Sequence, residues 1–70
     1  MKLTINGEIQ SIKANPSLTS LDMIVELLGY NPRSIVVEFN GIIINRDQWA
    51  DQIVQDGDRL EIVTIVGGGS

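Results

Sequence analysis

Hydrophobic and polar positions alternate with a period of two in the first stretch of the chain, KLTINGEIQSIK. Leu3 and Ile5 lead to Asn6-Gly7 and then to Ile9, with Lys2, Thr4 and Glu8 at the opposite parity. Asn-Gly supplies the positive φ angles of a type I′ turn, whose twist suits two antiparallel strands, so a β-hairpin is predicted. Ile12 follows Ile9 by three positions, which predicts a bulge in the second strand near Gln10 and Ser11. The period then changes. In NPSLTSLDMIVELLGYNP, Leu21, Ile24, Val25 and Leu28 recur at helical spacing while Asp22 and Glu26 fall on the other face. Thr19 or Ser20 can cap the first turn, Asp22 lies near the positive end of the helix dipole, and Gly29 offers a left-handed residue after the last turn. Asn31-Pro32 forbids continuation.

SIVVEFNGIIIN returns to a period of two: Ile35, Val37 and Phe39 alternate with Val36 and Glu38, Asn40-Gly41 makes a second tight turn, and Ile42 to Ile44 come back. RDQWADQIVQDGD reads as an irregular connection with one short helical turn around Trp49 and Ile53, closed by a turn at Asp56-Gly57-Asp58. RLEIVTIV is the last strand. Its residues are apolar at both parities after Leu60, as expected of a central strand or of one whose outer face is covered by another protein.

The predicted order is ββαβββ. One helix covers one face of a sheet, so Leu3, Ile5, Leu21, Ile24, Leu28, Ile35, Val37, Leu60 and Ile62 are expected to form a single core, with the opposite sheet face open. Parallel pairing of the first and last strands, with the hairpins outside, is the economical arrangement. It is an α+β fold, the β-grasp or ubiquitin-like roll, with a mixed sheet of about four to five strands packed on one helix. The expected organisation is one β-grasp domain over 1–66 and a flexible glycine tail over 67–70.

The tail changes the picture most. A run of β-branched residues passes directly into Gly67, Gly68, Gly69 and Ser70. Three glycines extend roughly 3.3–3.6 Å each, about 10 Å in all, with no side chain to obstruct passage into a narrow tunnel. Chemistry is expected at the terminus, because the remainder of the chain offers few reactive groups. With no cysteine and no histidine, thiolate metal sites, cysteine nucleophiles and serine–histidine relays are excluded by inventory. No glycine-rich loop opens a helix, so no nucleotide is expected to bind here. No metal site is expected either: Asp56-Gly57-Asp58 lacks the remaining spacing of a calcium loop and reads as a turn.

Composition narrows the partners. Nine acidic residues against five basic ones give a net charge of −4, which repels phosphate backbones and anionic membranes and leaves a basic protein partner compatible. Five of the nine acids are Asp47, Asp51, Asp56, Asp58 and Glu61; they are either a solvated surface or a steering patch for the basic rim of a partner. Val63 and Ile65, if they point to the helix-free face, make an apolar docking surface beside the tail. MKLTINGEIQ lacks a basic start followed by an apolar run, and no stretch approaches ~20 apolar residues, so a cytoplasmic protein without a membrane segment is expected. Trp49, Tyr30 and Phe39 read as packing residues.

FNGIIINRDQWADQIVQDGDRLEIVTIVGGG resembles the C-terminal half of the thiamine-biosynthesis sulfur carriers, the ThiS family: an Asn-Gly turn, Arg46, Trp49 three residues later, Gly57-Asp58 before the last strand, and terminal glycines. KLTINGE and the helix ending ELLGY resemble the same family, so the likeness covers nearly the whole chain. The resemblance implies a co-substrate rather than an enzyme. A ThiF-type activating enzyme adenylates the terminal glycine with MgATP, a persulfide donor supplies sulfur, and the resulting thiocarboxylate delivers it to thiazole synthase of the ThiG type. Family members end on glycine, whereas Ser70 follows here. Gly69 is therefore the expected reactive residue after removal of Ser70, with Gly67 and Gly68 as its stalk and Val63, Ile65, Asp56, Asp58 and Glu61 as the docking surface. GGGS also reads as an engineered spacer. The small subunit of molybdopterin synthase, a ubiquitin-like protein modifier and a plain interaction domain with an inert tail are the competing functions.

Overall fold

The computed structural model describes residues 1–65. The expectations placed on Gly67, Gly68, Gly69 and Ser70 lie outside the described residues. Five strands and one α-helix follow one another as β1 (Lys2–Ile5), β2 (Glu8–Ser11), α1 (Leu21–Leu27), β3 (Ile35–Phe39), β4 (Ile42–Ile44) and β5 (Arg59–Thr64), with 3-10 helices at Pro32–Ser34 and Arg46–Asp51. The sheet order is β2-β1-β5-β3-β4. β5 runs parallel to β1, with Thr4 beside Arg59 and Ile5 beside Leu60, and antiparallel to β3. This is the β-grasp roll.

Both Asn-Gly pairs form the tight turns that their conformational freedom allows. Asn6 and Gly7 have φ of 52° and 83°, and Asn40 and Gly41 have 51° and 88°, the two successive positive values that define a type I′ hairpin. The expected bulge at Gln10 and Ser11 is absent. β1 and β2 pair without interruption from Ile5 beside Glu8 to Lys2 beside Ser11, and Met1 and Ile12 exchange backbone hydrogen bonds of 2.7 Å in both directions beyond them. In an unbroken strand, residues three apart point to opposite faces. Ile9 accordingly lies on the open face and is exposed, whereas Ile12 packs against the core.

Helix α1 lies across one face of the sheet and buries Leu21, Ile24 and Val25. Its N-cap is Ser20, whose hydroxyl donates to the Asp22 carboxylate instead of accepting from a helix N–H. Thr19 Oγ1 donates to the Asn15 carbonyl. At the other end Gly29 takes φ of 82°, its N–H donates to Glu26 O, and Tyr30 N donates to Val25 O. That pair of bonds is a Schellman closure.

The core unites Leu3, Ile5, Leu21, Ile24, Val25, Ile35, Val37, Phe39, Trp49, Val54, Leu60 and Ile62, while Leu28 and Tyr30 are partly buried at its margin. Trp49 comes from the 3-10 helix Arg46–Asp51, which packs against α1. Its indole N–H donates to Ile44 O at 2.9 Å, so burial of the ring leaves no donor unpaired. Ile53, expected in the same helical turn, instead lies beyond it, in a single antiparallel bridge to Ser20.

Candidate functional site

β5 organises everything that bears on the tail. Its two hairpin neighbours reach it at different levels. Thr4 N donates to Asp58 O, and Asn6 N to Leu60 O. Beyond that point β1 has turned away, and the Asn6 side chain continues the ladder by accepting from Ile62 N at 2.7 Å. On the other side Asn40 N donates to Arg59 O, and Ile65 N donates to Ser34 O at 2.7 Å. The strand is thus held on its β3 side as far as Ile65, the last described residue, five residues before the end of the sequence.

Alternation divides β5 between two environments. Leu60 and Ile62 enter the core, whereas Glu61, Val63 and Ile65 fall on the face without a helix. Val63 is 57% exposed and Ile65 52%. Val36 of β3 lies beside Val63, and Glu38 lies beside Glu61. Ile43 of β4 lies beside Glu38, so the open face carries a short apolar field interrupted by two carboxylates.

Asp56 and Asp58 are located elsewhere. They precede β5, at the end of the strand remote from Ile65, and each carboxylate accepts from a backbone N–H. Asp56 Oδ1 accepts from Lys2 N at 2.6 Å. Asp58 Oδ2 accepts from Gln55 N at 2.7 Å, while its Oδ1 accepts from Asn40 Nδ2 at 3.1 Å. Gly57, at φ of 91°, donates its N–H to Lys2 O. The Asp-Gly-Asp turn therefore joins the start of β1 to the start of β5, a covalently distant contact that no local spacing signals.

Two further features have no counterpart among the sequence-based expectations. Met23 and Leu27 of α1 and Leu18, which precedes the helix, are exposed and line a shallow groove of about 640 Å³ with Ala14. Met23 and Leu27 are four apart, so an i, i+4 search on the polar side of the helix would find them. The cross-strand pairing of Glu38 with Glu61 is the other; it needs the register of β3 against β5, which sequence leaves open. Among the described residues no group of three or more acids gathers to hold a metal ion, and no helix is long and apolar enough to cross a membrane.

The described body thus supplies a five-stranded sheet, a face without a helix and a last strand that precedes the glycines in sequence. A model of the ThiS family matches residues 3–69. The chain belongs to the ThiS family. The thiazole synthase of Paramagnetospirillum magneticum is 41% identical over 70 residues, covering 100% of this chain and 21% of that protein. The chain thus spans about a fifth of the length of that relative. The sulfur carrier protein ThiS of Escherichia coli is 29% identical over 69 residues, 99% of this chain and 100% of its own. The crystal structure of the thiamine biosynthesis protein ThiS from Geobacter metallireducens superposes with a TM-score of 0.83 at 28% identity, covering 99% of this chain and 100% of that one. The ThiS β-grasp roll is therefore shared across the described body.

Proposed function

We propose that this chain is a sulfur carrier for the thiazole of thiamine, a co-substrate that partner enzymes load and unload. The observation that carries this reading is the reach of the family match, which runs through Gly67, Gly68 and Gly69. The relatives support it in two ways: one is a sulfur carrier protein of nearly the same extent, and another is a thiazole synthase that contains a similar stretch within a much longer chain.

In this reading Gly69 carries the reactive carboxylate once its peptide bond to Ser70 has been hydrolysed, and Gly67 and Gly68 form the stalk. A ThiF-type enzyme uses MgATP to convert the carboxylate to an acyl-adenylate with release of pyrophosphate. The terminal sulfur of a persulfide donor displaces AMP to give an acyl disulfide, and a thiol of the partner enzymes then attacks the donor's sulfur, which releases the thiocarboxylate and leaves a disulfide on the partner side. This chain binds none of these cofactors. Its sulfur passes to a ThiG-type thiazole synthase without being released as sulfide. Glu61, Val63 and Ile65 form the docking surface, being on the open face of the strand that leads to the tail. Asp56 and Asp58, at the far end of that strand, contribute through the long-range field of a chain with net charge −4.

The test is incubation with a ThiF-type enzyme, MgATP and a persulfide donor, read by intact mass. The expected product ends at Gly69 and has exchanged one oxygen for sulfur. An unmodified mass would overturn the carrier reading, and a mass increased by conjugation to lysines of other proteins would replace it with a modifier.

A further inference from the structure

The open sheet face holds a charge arrangement that the free protein does not explain. Glu38 and Glu61 are direct cross-strand partners, and like charges in that relation destabilise a sheet. The pair lies within an apolar frame of Val36, Val63 and Ile43, with Glu38 itself half-buried. Arg59 lies diagonally across from Glu38, yet among the described residues it enters the hydrogen-bond network only through its backbone, donating to Asn40 Oδ1 and accepting from Asn40 N.

We propose that this face receives a protein surface whose centre is one arginine side chain ringed by apolar groups, with the guanidinium held between Glu38 and Glu61. The inference rests on the reading of the face as a docking surface and adds the chemistry of what docks there. An arginine suits the site better than a lysine: its planar fork presents donors to both carboxylates at once, and its weak hydration lowers the cost of closing the apolar frame over it. A second copy of this chain suits it poorly, because both copies carry net charge −4. The carboxylate pair then works as a specificity device: it weakens the free sheet slightly and is neutralised only by a partner that brings the matching cation.

The experiment measures affinity for the ThiF-type enzyme and for the thiazole synthase by titration calorimetry, together with the Tm of the unbound carrier. The variants are Glu38→Gln, Glu61→Gln, the double substitution and Ile65→Asp. Each single glutamine substitution is expected to weaken binding to at least one partner about tenfold. Because both carboxylates hold the same cation, the double variant should lose about thirtyfold instead of the hundredfold of independent sites. The unbound singles should at the same time melt about 2–4 °C higher, as the repulsion is relieved. Glutamine is isosteric, so folding is preserved. If Ile65→Asp abolishes binding while the glutamine variants bind like wild type, the face docks partners but the arginine inference fails. If Ile65→Asp also binds normally, the docking reading fails with it. Sedimentation showing self-association that both glutamine substitutions abolish would replace the partner with a second copy.

Discussion

Asn6 performs two tasks with one side chain. It holds φ at 52° to open the first hairpin turn, and its Oδ1 accepts from Ile62 N where β1 has left the sheet. The two tasks separate by substitution. Asn6→Gly keeps the backbone conformation and loses the hydrogen bond, so about 1 kcal/mol of stability should disappear in urea titration. Asn6→Ala adds the cost of a left-handed residue with a Cβ, for a total of about 2–3 kcal/mol. The first task is legible in the sequence, because Asn-Gly between alternating apolar residues announces a type I′ turn. The second is not, since it joins residues 56 positions apart. Asp56 teaches the same lesson, for an acid near the last strand reads as surface charge until its partner, the Lys2 N–H, is known. Trp49 is legible as a packing residue, but its acceptor, Ile44 O, is not. Trp49→Phe should cost about 2 kcal/mol, combining the unpaired carbonyl with lost volume, and urea titration should show it as a lower midpoint with an unchanged slope.

Helix α1, at 7 residues, is too short to persist alone. It exists because Leu21, Ile24 and Val25 are buried on the sheet and because its C-terminus is closed at Gly29. A Cβ at Gly29 would meet nothing within 4 Å, so only backbone strain opposes Gly29→Ala. That variant should lose about 1 kcal/mol in chemical denaturation. Helical periodicity and the final glycine make this element readable from the amino-acid order alone. The second strand is less transparent: the three-residue interval from Ile9 to Ile12 suggests a bulge, yet it reflects one apolar residue on each face of a regular strand. An exposed Ile9 breaks the assumption that apolar means inward, and a sequence has no means of flagging it. The segment Arg46–Asp51 lacks a period because a 3-10 helix of 6 residues buries only Trp49.

At the scale of the molecule, helix and core occupy one side of the sheet, and the other side stays open beside the strand that carries the tail. That division follows from arithmetic: one helix cannot cover two faces. What the arithmetic cannot supply is the register that brings Glu38 to Glu61. β5 lies between β1 and β3 and is the only strand joining the two hairpins among the described residues. Backbone amides of β5 that bond to β1 or β3 should be the slowest to exchange with solvent, as expected for the centre of a cooperative unit. A chain ending at residue 58 should give a coil-like circular dichroism spectrum, and a native-like spectrum would contradict the arrangement. If the chain is the carrier proposed above, the placement of β5 also guards against counterfeits. In the proposed carrier role, a molecule cut short of its last strand has no folded surface with which to occupy a loading enzyme. On that reading, any molecule sound enough to compete for partners retains the strand that precedes the glycines in sequence.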